Sequence, residues 1–168
     1  MIYPYENLEN LTLSSLIDRS VKLFENEDCC AFVGDIPISY KEFYSSVQES
    51  VTLLQSYGIK KGDKVAILSE NMPNWGIAYF SITYFGAVVV PILSDFHTYD
   101  VHRILKHSET KAVFVSDKHL PTIEDSNEKN MNIVINLNTL NIIDELTNKN
   151  YIDTIKTKIS INDNDYKP

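Results

Sequence analysis

The chain has 168 residues, the size of one domain and enough to bury a real core without disulfide or metal staples. Its 15 Lys and Arg against 23 Asp and Glu leave a net charge of −8, which argues against nucleic acid or an anionic membrane surface as a partner. The start, MIYPYENLEN, has no basic or apolar leader character, and the longest apolar run, Ala87 to Leu93, is far short of the roughly 18 residues that a bilayer span needs, so a cytoplasmic protein is expected.

Taken in order, Leu13, Leu16, Ile17, Val21 and Phe24 fall at helical spacing behind Thr12 as N-cap. Cys30 to Val33, Gly34-Asp35 and Ile36 to Ser39 predict a short hairpin turning on the glycine. The adjacent Cys29 and Cys30 should point to opposite faces of that strand, and are read as two small buried hydrophobes in preference to a vicinal redox pair. Ser39-x-x-Glu42 is a capping box opening a helix with Phe43, Val47, Val51 and Leu54 inward and Gly58 at its end.

Strands and helices then alternate: strand Lys64 to Leu68, helix Pro73 to Phe85, strand Ala87 to Ile92, helix Tyr99 to His107, strand Lys111 to Val115, a weaker helix near Leu120 to Lys129, and strand Asn132 to Leu137. The strands are continuous apolar runs, as a parallel sheet buried on both faces requires. The fold class is therefore α/β, a mostly parallel sheet covered by helices on both faces, with a short N-terminal β-hairpin. Residues 1–137 form this α/β unit. Residues 138–168, polar and free of glycine, are expected to add a peripheral helix or two, around Leu140 to Leu146 and Ile152 to Ile159, and a polar exit segment.

The helix after Pro73 carries two apolar stripes. Trp75, Ala78, Tyr79, Ile82 and Phe85 suit packing on the sheet, while Ile77, Phe80 and Tyr84 lie on another side with no predicted element left to cover them. They are expected to meet the remainder of the protein's own chain, or to drive self-association of this piece.

Sites of chemistry are few. The five glycines are isolated, and neither G-x-G-x-x-G nor G-x-x-x-x-G-K-[ST] occurs, so the backbone cradle that a phosphate needs is missing. His97, His102 and His107 are spaced by five, about 140° apart on a helix, and do not converge on a metal. No G-x-S-x-G elbow is found. Asp163-Asn164-Asp165 lacks the rest of a calcium loop, and Asp95 with Asp100, or Glu124 with Asp125, are read as surface or capping carboxylates.

Three stretches, "ISYKEFYSSVQ" at 38–48, "YGIKKGDKVAILSENMPNWGIAYFSITYFGAVVVPI" at 57–92 and "DVHRILKHSETKAVFVSD" at 100–117, resemble in order and spacing the N-terminal part of adenylate-forming (AMP-binding) enzymes. The style is most like that of long-chain fatty-acid and other acyl-CoA synthetases. The resemblance implies a two-step reaction using ATP, Mg²⁺ and CoA, in which a small carboxylic acid becomes acyl-AMP and then a CoA thioester. It also implies that the phosphate loop and catalytic lysine lie downstream of Pro168, "INDNDYKP" resembling the spacer before that loop. These 168 residues alone are then expected to hold no cofactor and to be inactive, with any membrane association peripheral and through a lipid substrate. By the same resemblance Ser94 and Lys118 fall near the CoA nucleotide, and no catalytic or metal-binding residue is assigned. The alternatives are a stand-alone α/β interaction module and an adenylation domain for an amino or aryl acid.

Overall fold

The computed structural model describes residues 10–126, 131–143 and 146–147. Helix α1, Leu13–Phe24, starts where extended Thr12 accepts the Ser15 amide through Oγ1 at 3.1 Å. Strands β1, Asp28–Cys30, and β2, Ile38–Ser39, pair antiparallel. Helix α2, Tyr40–Ser56, opens with the full capping box: the Glu42 amide donates to Ser39 Oγ at 3.2 Å and the Ser39 amide to Glu42 Oε2 at 2.8 Å. Its exit needs a left-handed residue, and Gly58 supplies φ 76°.

The remainder alternates as β3 Lys64–Leu68, α3 Pro73–Tyr84, β4 Val88–Ile92, α4 Thr98–Ser108, β5 Ala112–Val115, a 3₁₀ turn Asp117–His119, α5 Leu120–Glu124 and β6 Ile133–Asn136. The four strands β3 to β6 form a parallel sheet in the order β4-β3-β5-β6, with Val65 level with Val89 and Ala112, and Ala112 level with Ile133.

The period of two along each strand sorts the core into two layers. Val65, Ile67, Ala112, Phe114, Ile133 and Ile135 face Leu54 of α2 and Ala78 and Ile82 of α3. Ala66, Leu68, Val113, Val115 and Val134 face Val101 and Leu105 of α4 and Ile123 of α5. Ile67, Leu68 and Phe114 are fully buried, each contributing about 1.5–3 kcal/mol relative to exposure.

Several expectations are corrected. The second stripe of α3 does not await a missing neighbour. Ile77 is 2% exposed and packs with Ile17 of α1 and Phe43, Val47 and Val51 of α2, with Phe80 and Tyr84 partly buried against the same group. Phe80 meets Phe43 edge-on at 5.9 Å, and Tyr84 donates to Asp18 of α1 at 2.9 Å. The reason is that α2 acts as a wedge: only Leu54 among its four inward residues reaches the sheet cluster, and the other three cover α3. The ground for self-association through Ile77, Phe80 and Tyr84 is thereby removed.

Strand β4 is not buried on both faces. Among the described residues it pairs only with β3, Val88 is 47% exposed, and Pro91 takes an edge position where its missing N–H costs nothing. The hairpin strands are shorter than expected, leaving Phe32, Val33 and Ile36 exposed in the connection. Within it, Asp28 lies opposite Ser39 but Cys30 opposite Ile38, a bulge that breaks the alternation, so Cys29 and Cys30 pack against one and the same cluster.

In place of a helix at residues 138–143, a turn follows β6 and Ile142 bridges back, antiparallel, to Ile135. Leu140, Ile142, Ile143 and Leu146 pack onto the sheet layers. The expected piece around Ile152 to Ile159 lies outside the described residues, as does Asp163-Asn164-Asp165.

Candidate functional site

An open parallel sheet offers a crevice where neighbouring strands send their connections in opposite directions, just beyond their carboxyl ends. Strand β3 leads through α3 to β4 on one side; β5, lying next to it, leads through α5 to β6 on the other. The crevice is therefore bounded by Ser69 and Glu70 after β3 and by Ser116 to His119 after β5.

Across it, the fully buried Ser116 donates its hydroxyl to Glu70 Oε2 at 2.7 Å, and its amide donates to the Leu68 carbonyl at 3.1 Å. That hydroxyl, then Glu70's own amide, hold the Glu70 carboxyl below the usual carboxylate range against a smaller opposing effect of burial, and the nearby His119 and Lys118 add attraction. His119 Nε2 stands 3.7 Å from the same Glu70 oxygen, with its side chain 11% exposed, and has no hydrogen-bond partner among the described residues.

A second polar network ties the β5 and β6 ends to α3. Asn136 Nδ2 donates to Asp117 Oδ1 at 2.6 Å, the Asp117 amide to Asn138 Oδ1 at 2.9 Å, and the Asn138 amide to Asn136 Oδ1 at 2.8 Å. Asn74, in the first turn of α3, donates to the carbonyls of Leu137 at 2.8 Å and Asn138 at 3.2 Å.

Chemically this edge positions rather than reacts. Ser116 is sealed and its hydroxyl is committed, so it is no nucleophile. At the crevice the Glu70 carboxylate is flanked by His119 and Lys118, while Asp117 is turned to Asn136 of β6. The sequence signals for both networks were the short polar groups directly after each apolar run, Ser69-Glu70, Ser116-Asp117 and Asn136 to Asn138; pattern reading passes over them because it counts apolar positions.

Ser94 lies half-buried in the turn between β4 and α4, and Lys118 is exposed in the 3₁₀ turn after β5. Both stand at the carboxyl edge, separated by the width of β3, about 10 Å between flanking strands. His97 precedes α4, His102 Nε2 contacts the Thr122 carbonyl at 2.7 Å and so ties α4 to the start of α5, and His107 ends α4. Among the described residues, no three His, Cys, Asp or Glu side chains gather as a metal site, and no helix is long and apolar enough to cross a membrane. An open hollow of about 1220 Å³ runs along α4 between Val90, Phe96, Tyr99 and His107, with Arg103 5.7 Å above the Tyr99 ring.

Comparison with known proteins decides the lineage of this edge. The family model described as AMP-binding enzyme matches residues 17–165. The chain belongs to the AMP-binding enzyme family. Over 113 residues it is 27% identical to 4-hydroxybutyrate-CoA ligase 2 of Metallosphaera sedula, covering 67% of this chain and 20% of that protein. Over 119 residues it is 24% identical to a long-chain-fatty-acid-CoA ligase of Bacillus subtilis, covering 70% and 21%. Among solved structures, the anthranilate CoA ligase AuaEII in complex with anthranoyl-AMP superposes with a TM-score of 0.72 at 17% identity, over 89% of this chain and 28% of that one. At that identity the likeness establishes the fold, a parallel α/β layer shared with acyl-CoA synthetase-like structures. This member of the AMP-binding family spans about a fifth of the length of the curated relatives it matches.

Proposed function

We propose that the chain forms the N-terminal α/β layer of a cytoplasmic acid:CoA ligase acting on a fatty acid. In the complete enzyme a carboxylate oxygen attacks the α-phosphorus of ATP, forming acyl-AMP and releasing pyrophosphate. The CoA sulfur then attacks the acyl carbonyl and AMP leaves. The single observation that carries this reading is the family match over 17–165 in a chain whose named relatives include two acid:CoA ligases.

The described residues do not themselves fit ATP phosphates or Mg²⁺: the turns after β3 and β5 carry no glycine for a backbone cradle, and no cluster of three metal-ligating side chains is present among them. The role assigned to this layer is positional. The Ser116–Glu70 tie and the Asn74–Asn136–Asp117 network hold the carboxyl edge rigid, so that loops from elsewhere in the enzyme dock in fixed register. At that edge Ser94 and Lys118 are assigned to the CoA nucleotide, Lys118 by its ammonium and Ser94 by its hydroxyl.

Carboxylate-dependent exchange of labelled pyrophosphate into ATP tests the reading. The product of the whole reading frame containing these residues should exchange with a fatty acid and release AMP when CoA is added. The 168 residues alone should do neither. Exchange by the 168 residues, or none by the whole product with any carboxylate, overturns it.

A further inference from the structure

The two cysteines sit where strand alternation breaks. Two positions on β1, Cys29 and Cys30, stand against the single Ile38 on β2. A bulge of this kind re-aims a side chain, and both thiols consequently lie half-buried on one cluster, beside Ile38 and near Phe43 and Ile77. Two half-buried sulfurs on one face, not joined in a disulfide, make a chelating pair.

We propose that Cys29 and Cys30 form a dithiol site for trivalent arsenic compounds of the arsenous-acid or arylarsenic(III) oxide class, bound through one As–S bond from each cysteine. The oxide reacts as its hydrate, R–As(OH)₂, and each sulfur displaces one hydroxyl from arsenic. Two S–H and two As–O bonds break, two As–S bonds form, and the thiol protons leave with the displaced hydroxyls as water. Arsenic stays trivalent, so no oxidant is consumed.

The protonation state selects this chemistry over its rivals. Burial pushes both thiols up, Cys29 to about 12, with Cys30's neighbouring charge adding to the rise. A divalent cation binds thiolates and would have to expel protons from both buried sulfurs, and alkylation also requires the thiolate. Condensation with an arsenic(III) oxide starts from two neutral thiols and ends neutral. The third substituent has room, because Cys30 borders a hollow of about 400 Å³ with Phe32, Val33, Met72 and Pro73, wide enough for an aryl group.

The probe is phenylarsine oxide, added to the full chain under native conditions and followed by intact mass after gel filtration in excess monothiol. One arsenical per chain should remain bound and be stripped by 2,3-dimercaptopropanol. Cys29→Ala and Cys30→Ala should each lower retention at least about tenfold, because only two linked bonds give the chelate advantage. If an alanine variant does not fold by circular dichroism, the serine variant at the same position answers the same question. Retention in urea should be weaker than in buffer, since the bulge presents the pair. Retention by either single-cysteine variant, equal retention in urea, or none in the native chain overturns the proposal.

Discussion

The Ser116 hydroxyl donates a hydrogen bond to Glu70 Oε2 at 2.7 Å, joining the carboxyl ends of two strands whose connections run in opposite directions. Because Ser116 is fully buried while the Glu70 side chain is 41% exposed, the donor is fixed and the acceptor can be resolvated. Ser116→Ala should therefore cost only about 1 kcal/mol in urea denaturation at neutral pH. The Glu70 carboxyl is held low, so its contribution is present above the ordinary carboxylate value and lost as pH falls through the depressed one. The gap between wild type and Ser116→Ala should close on acidification in that window, and the Glu70 titration followed by NMR should move up in the variant.

Ile77 marks the interior between α1, α2 and α3. Truncation to Ala should cost about 2–5 kcal/mol, and an Asp there should prevent folding. Thermal melts of the two variants check this. Improved solubility with an unchanged melting temperature would mean that α2 does not cover that face.

At the opposite end of the sheet, Asp63 accepts from Lys111 Nζ at 2.7 Å and from the Lys60 amide at 2.8 Å. Partial burial pushes this carboxyl up, but the Lys111 and Lys60 contacts together outweigh it and hold it low. Its stabilisation is thus present above the unfolded carboxylate value and disappears as pH drops through the folded one. Asp63→Asn should lose about 1–2 kcal/mol at pH 7 and nothing at a pH where Asp63 is already protonated. Denaturation midpoints at the two pH values decide it.

For the CoA assignment, Lys118→Glu in the complete enzyme should raise the KM for CoA about tenfold while leaving pyrophosphate exchange unchanged. Ser94→Ala should raise it about threefold, the loss of one hydrogen bond. An unchanged KM in both variants places the nucleotide elsewhere.

Periodicity and punctuation were sufficient for most of the architecture. Thr12, the Ser39–Glu42 box, Gly58 and Pro73 mark helix ends through bonds that span three or four residues, and local chemistry of that range is visible in a linear string. The apolar runs of β3, β5 and β6 likewise declare their double burial, and the family resemblance over 38–117 agrees with the match over 17–165. What covers a surface is a different kind of question. Whether Ile77 is core depends on how α2 is rotated, and whether Val88 is exposed depends on β4 having one neighbour instead of two.

The same division applies at the site and at the thiols. Sequence alone determined that this is a parallel α/β layer of the AMP-binding lineage, and that its strand-to-helix turns carry no glycine cradle. Only the tertiary structure decided that Glu70 meets Ser116, forty-six positions away, and that a bulge sets Cys29 beside Cys30 on one face. Secondary structure follows from interactions a few residues long, whereas the partner of a polar side chain is chosen by the order and register of strands, which arises when the chain condenses.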